Sequence, residues 1–307
     1  MKVYYKYSRF FGIESLKNIT IRLSSPNTLN DPFEGMMNEH VKKRLIKIAK
    51  PEDLGMQGYE RHFGKEIINT FIVNKIHSLI SKYGVVSLSE TPINLLMWAH
   101  YADEHKGICI GFKPDLFDSL DNKRRSIYKI ESYLPQKVNY DSIRPQNIDD
   151  EAESSKEIQE QARKQLLTKS NDWMYEKEHR CIIPLNWADQ YKSLSTNAED
   201  HDVENDFVND GILTRVGENT YEGKGISILS DIYNDEKTSV FLKKINPSSI
   251  VSIHLGCKFD TKDKARIVEM LNDDNNQLKH IKLYACSPSK DRFELDIEQL
   301  YPLKKSV

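Results

Sequence analysis

Glu176, Glu178 and Arg180 stand at alternate positions in WMYEKEHRCIIP, residues 173–184. Alternate side chains of an extended strand share a face. The sequence therefore predicts two carboxylates and a guanidinium on one side of a strand over Tyr175–Ile183, stopped by Pro184. Two acids so placed raise one another's proton affinity, or divide into an ionised group and a proton carrier. A surface strand end with Glu178 paired to Arg180 satisfies the same spacing. LNDPFEG, residues 29–35, also fits two roles. Asp31 as a cap, Pro32 at the first helical position and Glu34 three places on make a capping box. Asn30, Asp31 and Glu34 equally suit a cleft edge, with the helix N-terminus turned towards an anion.

MWAHYADEHKG, residues 97–107, belongs to a helix expected over Pro92–His105, with Thr91 as its cap. At 100° steps Leu95, Trp98, Ala99 and Ala102 form the core face. His100, Asp103 and Glu104 fall on the opposite side, flanked by Tyr101, so His100 faces solvent or a pocket. His100 and His105 are five apart rather than the four a helical metal pair requires. The acidic run 200–206 lacks Gly at the sixth position and Glu at the twelfth of a calcium loop, and reads as solvated. No Gly-rich phosphate loop occurs. Lys123-Arg124-Arg125 reads as a surface cluster.

The elements that must position these residues follow from periodicity. Strands are expected at Val3–Tyr7, Ile19–Leu23, Val85–Ser89, Ile108–Phe112, Ile250–Leu255, Ile281–Ala285 and Arg292–Leu295, with a hairpin of Tyr128–Tyr133 and Gln136–Asp141. Met37, Val41, Leu45 and Ile48 mark one helix. Ile67, Ile68, Phe71, Ile72, Ile76 and Leu79 mark a second over Gly64–Lys82. Polar helix Ile148–Thr168 and helix Thr261–Leu271 complete the set. The predicted class is α+β: one domain over residues 1–307 with a central mixed, largely antiparallel sheet flanked by helices. A variable excursion is expected at about 186–240 and a strand–helix–strand tail at about 245–300.

With 44 basic and 46 acidic residues the formal charge of −2 argues against bulk coating of nucleic acid, although a local basic groove leaves that partner open. The apolar runs are too short to span a bilayer. Cys109, Cys181, Cys257 and Cys286 form no CxxC pair. The expectation is a reduced, cytoplasmic protein without a membrane partner.

YKY near the start, LNDPFEG, SLSE, MWAHYADEHKGICIGF, WMYEKEHRCIIP and LGCKF together resemble the bacterial domain of unknown function 2971 family, from about Tyr5 to the tail. A further resemblance is to ADP-ribosyltransferases of the Arg–Ser–Glu type. These carry a basic residue on the first strand, a Ser-x-Ser strand leading into a helix, and a later Glu-x-Glu strand. Lys6 or Arg9, then Ser87-Leu88-Ser89, then Glu176-Lys177-Glu178 occur here in that order. The resemblance implies an ADP-ribosyltransferase-like fold and NAD as substrate. Glu178 would be the main catalytic residue and Glu176 the auxiliary that activates a nucleophile. Ser87, Ser89, His100 and Tyr101 would wall the nicotinamide, and Lys6 or Arg9 would hold phosphate. The acceptor would be an unknown macromolecule or water, and such an activity suits a bacterial defence or toxin effector. Two other classes fit the sequence. One is a non-catalytic module binding nucleic acid or protein. The other is a metal-independent nuclease or hydrolase pairing His100 with Glu34 or Glu178.

Overall fold

Short runs rich in β-branched and aromatic residues supply the scaffold, because such side chains pack on a pleated surface. A computed structural model describes residues 2–48, 65–117, 130–147, 154–197 and 201–302. Strands are numbered in chain order. The larger sheet contains β1 (Tyr4–Ser8), β3 (Tyr83–Ser89), β4 (Ile108–Phe112), β5 (Ser132–Lys137), β8 (Glu178–Pro184), β13 (Ile250–Leu255), β14 (Lys282–Pro288) and β15 (Leu295–Tyr301). Their order is β15-β14-β13-β4-β1-β3-β8-β5. Only β13 and β14 run parallel in this sheet. Parallel neighbours need a crossover, which α8 (Thr261–Asn272) provides. The smaller sheet has the order β10-β11-β9-β12-β2 and is antiparallel throughout. Its members are β2 (Thr20–Leu23), β9 (Gln190–Ser193), β10 (Leu213–Gly217), β11 (Thr220–Gly223) and β12 (Ser239–Lys244). The short strands β6 (Asn139–Asp141) and β7 (Thr168–Ser170) pair in parallel next to the start of β8, where Tyr140 of β6 accepts from the Glu178 amide. The protein is thus α+β, with a large, mostly antiparallel mixed sheet and several helices.

One apolar core joins the two sheets, and the first helix, α1 (Ile13–Lys17), adds Leu16 to it. Val86, Leu88, Cys181 and Ile183 of the larger pack with Leu23, Tyr191, Tyr221 and Phe241 of the smaller. A second core lies under α2 (Glu39–Ile48), α3 (Lys65–Ser81) and α5 (Ser154–Leu166), which bury Val41, Leu45, Ile72, Leu79, Ala162 and Leu166 against Val85 and Ile182. A third gathers Tyr7, Trp98, Ala102 and Cys109 beneath α4 (Leu95–Tyr101).

Several elements differ from expectation. The residues expected as an excursion carry β9 to β12, α6 (Asp202–Asn209) and α7 (Ile226–Ile232), and Tyr191, Tyr221 and Leu229 are buried in the main core. The acidic stretch is therefore helical from Asp202 rather than a loop. β5 and β6 do not form a hairpin, since β5 pairs with β8 and β6 with β7. β15 starts at Leu295, where the expected strand ends. Asn94 replaces Thr91 as the cap of α4, accepting from the amides of Leu96 (3.0 Å) and Met97 (3.2 Å). α4 stops at Tyr101 because Asp103, Glu104 and His105 all adopt left-handed backbone. Its core face is Trp98 and Ala102, whereas Leu95 is 40% exposed. Lys123-Arg124-Arg125, Asp200 and the start of the helix expected from Ile148 lie outside the described residues, as do the side chains of Ile48, Ile68 and Ile76. No described helix is long and apolar enough to cross a membrane.

Candidate functional site

β1 and β3 pair at one position only, Tyr5 opposite Ser89. Further along β3, the amide and carbonyl of Val85 bond instead to Ser24, just beyond β2 (2.7 and 3.1 Å). β3 thus passes from one sheet's neighbour to the other's. Between these attachments the Ser87 carbonyl accepts from Lys6 Nζ at 3.3 Å. A cavity of about 240 Å³ occupies this split, lined by residues of β1, β2, β3, α4 and β8 and by Lys169 of β7.

The floor is set by the pairing of β3 with β8, which places Ser87 opposite Arg180 and Ser89 opposite Glu178. Arg180 is fully buried. Its Nε donates to Glu178 Oε1 at 2.7 Å and one Nη to Glu178 Oε2 at 3.0 Å. Both Nη atoms reach Glu34, one at 3.0 Å, and Nη1 also donates to the Leu166 carbonyl at 2.7 Å. A planar guanidinium matches two carboxylates in this forked manner, and each bond is charge-assisted. Lys169 Nζ donates to Glu176 Oε2 at 2.7 Å, with Glu178 Oε2 at 3.4 Å, and lies 4.5 Å from the centre of the Trp173 ring. Tyr101 donates its hydroxyl proton to Glu176 Oε1 at 2.5 Å. Tyr140 Oη accepts from the Glu178 amide at 2.7 Å, and Ser89 Oγ donates to the Glu176 carbonyl at 2.7 Å.

Glu176 is not on the strand. It ends a 3-10 turn, Asn171–Glu176, closed by left-handed Lys177, and β8 begins only at Glu178. The two acids nevertheless meet, because Lys169 bridges them. Their environments drive them apart. Burial raises Glu178, but Arg180 and Lys169 outweigh it and hold the carboxyl at about 2. Burial and the neighbouring Glu178 raise Glu176, against the pull of Lys169. Desolvation disfavours charged Lys169, yet the two carboxylates keep it cationic and its pKa above the usual lysine value. One acid is thus a fixed anion and the other a group that takes up a proton more readily, a division of labour known from acid–base sites.

Of the residues singled out from sequence, Lys6, Asn30, Glu34, Ser87, Ser89, Tyr101, Glu176 and Glu178 line this cavity. Arg9 and His100 do not: both are exposed. His100 sits on the outer side of α4 beside Tyr175. Asp31 is buried and turns away, its Oδ1 accepting from the Phe33 amide at 2.9 Å. It caps no helix, since α2 starts at Glu39, so the capping box is replaced by a turn that delivers Glu34 to Arg180. Sequence reasoning missed Arg22, Lys169 and Tyr140. Lys169 lies in the polar stretch TKS, seven residues before Glu176, a separation that no regular element turns into a contact. Arg22 alternates with Ile21 and Leu23 in β2, where an ordinary outward-facing charge would also stand.

No curated protein and no solved structure matches the chain. The resemblance read from Tyr5 to the tail is supported over a shorter span, which holds Tyr101, Lys169, Glu176, Glu178 and Arg180. Residues 97–181 match the family described as "Protein of unknown function (DUF2971)".

Proposed function

We propose that the cavity cleaves the bond between the ribose and the base of a nicotinamide dinucleotide, as an ADP-ribosyltransferase-like enzyme. The observation that carries this reading is the meeting of Lys6, Ser87 and Glu178, from three neighbouring strands, in one cavity with an ionised and a proton-accepting carboxylate side by side. Breaking the bond from C1′ to the nicotinamide nitrogen sends the electron pair out with neutral nicotinamide and leaves positive charge on the ribose. Such oxocarbenium-like centres are stabilised by a nearby carboxylate. Glu178, anionic at every physiological pH, supplies that field. The nucleophile's oxygen bonds to C1′ as its proton passes to Glu176, whose raised pKa makes it the stronger base of the two. Tyr101 and Lys169 hold Glu176 in place. The cavity, about 240 Å³ and open to solvent, is smaller than the usual site for a whole ligand, so it takes the base and ribose while the rest of the dinucleotide lies across the mouth.

The hydrolase alternative loses its histidine, because His100 is outside the cavity that holds both Glu34 and Glu178. Release of labelled nicotinamide from NAD tests the proposal. Glu176→Gln should slow it by about 10²–10⁴-fold, the usual contribution of a general base. Equal rates in wild type and variant, with no change in wild-type melting temperature on adding NAD, would overturn it.

A further inference from the structure

A wider groove of about 610 Å³ lies outside the candidate site, lined by residues of β5, β6, β7, the segment after β6 and the C-terminal half of α5. It carries four cations, Lys137, Arg144, Arg163 and Lys164, against two acids, Asp141 and Glu160. Asp141 is engaged in its own turn, its Oδ1 accepting from the Ile143 amide at 3.0 Å. Glu160 lies 3.9 Å from Lys164 in an exposed pair, a contact worth little. Among the described residues the other three cations form no ion pair. Arg144 and Arg163 each give one N–H to a backbone carbonyl, of Met37 and Ile130, at 3.3 Å. This fixes each guanidinium and leaves most of its donors for something else. Arg163 and Lys164 stand in the last turn of α5, where the helix dipole favours cations without neutralising them. The positive field extends to α2. Exposed Glu39 has its carboxyl held below the usual value by its bond to Lys42, and Lys43 and Arg144 add to the effect. Phe33 is 56% exposed, and the Arg144 guanidinium lies 5.9 Å from the centre of its ring. A smaller hollow of about 160 Å³, which Phe33 also lines, shares Asp141, Arg144 and Thr168 with the groove and Lys169 with the candidate cavity.

We propose that this groove binds a single-stranded nucleic acid, with phosphates along Lys137, Arg144, Arg163 and Lys164 and a base stacked on Phe33. The cations stand on three separate elements, so they suit a chain of charges rather than one small anion. Guanidinium forks and lysine point charges both match phosphate oxygens. An open aromatic face next to a guanidinium is a platform for a base, and stacking of this kind accepts any sequence. An acidic peptide would satisfy the charges but gains nothing from that platform, and a duplex keeps its bases stacked inside the helix, away from Phe33. Exposed amides of Asn139, Gln146 and Asn147 line the same groove and can donate to or accept from base edges. With a formal charge of −2 on the whole chain, the positive field is local, so a strand is confined to this side. The proposal goes beyond the glycosyl-transfer reading and stands without it. A strand that reaches the smaller hollow ends at Lys169, the residue bonded to Glu176.

The test titrates a fluorescein-labelled DNA strand of mixed sequence, about twelve nucleotides long, with the full chain and reads anisotropy. Saturable binding is expected, and its affinity should fall about twenty- to fiftyfold between about 50 and 200 mM salt, as for three or four neutralised phosphates. Lys137→Gln and Lys164→Gln should each weaken binding about three- to tenfold and lower the salt slope by about one phosphate's share. Phe33→Ala should weaken it about five- to a hundredfold with the slope unchanged, because it removes stacking and no charge. Lys262→Gln and Arg292→Gln, on exposed cations elsewhere, should change nothing. Melting temperatures of all five variants should match wild type. Absence of saturable binding at low salt overturns the proposal. Binding that Lys137→Gln and Lys164→Gln leave unaltered, or that Lys262→Gln weakens equally, overturns it too. Polyglutamate that displaces the strand at equal charge concentration assigns the groove to acidic peptides instead. A duplex of the same sequence that binds as tightly, with Phe33→Ala without effect, overturns the single-stranded assignment.

Discussion

The floor and the upper lip of the cavity hold their charges in opposite ways. On the floor Arg180 and Lys169 meet Glu34, Glu176 and Glu178 through at least two contacts each, nearly all excluded from water. On the lip Lys6 Nζ donates a long bond to the Ser87 carbonyl and Arg22 Nε has no hydrogen-bond partner among the described residues. A buried charge without a partner is expensive, whereas a matched network rigidifies what it joins. The floor is therefore scaffold and preorganised chemistry together, whereas the lip contributes little to the fold. The sharpest way to break this contrast is to remove one cation from each. Arg180→Met leaves two buried carboxylates without their shared partner and should cost about 3–5 kcal/mol in urea unfolding. Lys6→Met should cost nothing at pH 7. Burial brings Lys6 down to about 8 from 10.5, so its charged form is penalised by folding, and the penalty is complete below pH 8. Equal losses in the two variants would erase the distinction.

The same contrast explains what could be read from the chain. β4 and β13 match their expected ends, and α8 differs by one residue, because each is a local pattern of apolar residues with a clear terminator. Ser87 and Glu178 were legible as motif members, and the pairing of β3 with β8 brings them together. The bond from Glu34 to Arg180 spans 146 positions, and no local spacing encodes it. The capping box was a sound reading of DPFE taken alone. What displaced it is the demand of buried Arg180 for a second carboxylate. Strands such as QYKS and TYEG, with one buried tyrosine each, carry too little periodicity to announce a sheet, so β9 and β11 were hidden in a polar stretch. His100 was correctly placed off the core face of α4, but helical geometry does not say whether the outer face meets a pocket or water.

A smaller effect separates the two acids of the floor by pH. Glu178 has a folded pKa of about 2 against an ordinary 4.5, so its stabilising contribution is whole above about pH 4.5 and is lost as pH falls through 2. The urea midpoint should drop over that window, by a loss on the order of 1–3 kcal/mol, and Glu178→Gln should flatten the drop. Glu176 has the opposite sign. Its raised pKa means that folding favours the protonated form, so stability is greatest below 4.5 and declines as pH rises through the folded value. Glu176→Gln should therefore steepen nothing in acid and gain relative to wild type towards neutral pH. A wild-type midpoint that is flat between pH 4.5 and 2 would mean that Arg180 does not hold Glu178 ionised.

The finest probe is the Tyr101 hydroxyl, which is the floor's link to α4. Its hydrogen bond to Glu176 favours the carboxylate and so opposes the upward shift that burial and Glu178 impose. Tyr101→Phe removes that donor while keeping the ring, and should cost about 1 kcal/mol of stability. It should also raise the Glu176 pKa further, visible as a shift in the carboxyl carbon titration by NMR. If Glu176 accepts the nucleophile's proton, the acid limb of nicotinamide release moves to higher pH by the same interval, because a larger fraction of the base is already protonated. A titration that moves without the rate profile would leave Tyr101 as a positioning residue and take the proton-accepting role away from Glu176. A titration that does not move would show that the short bond to Tyr101 contributes nothing to the charge state of the floor, which burial, Lys169 and Glu178 then set between them.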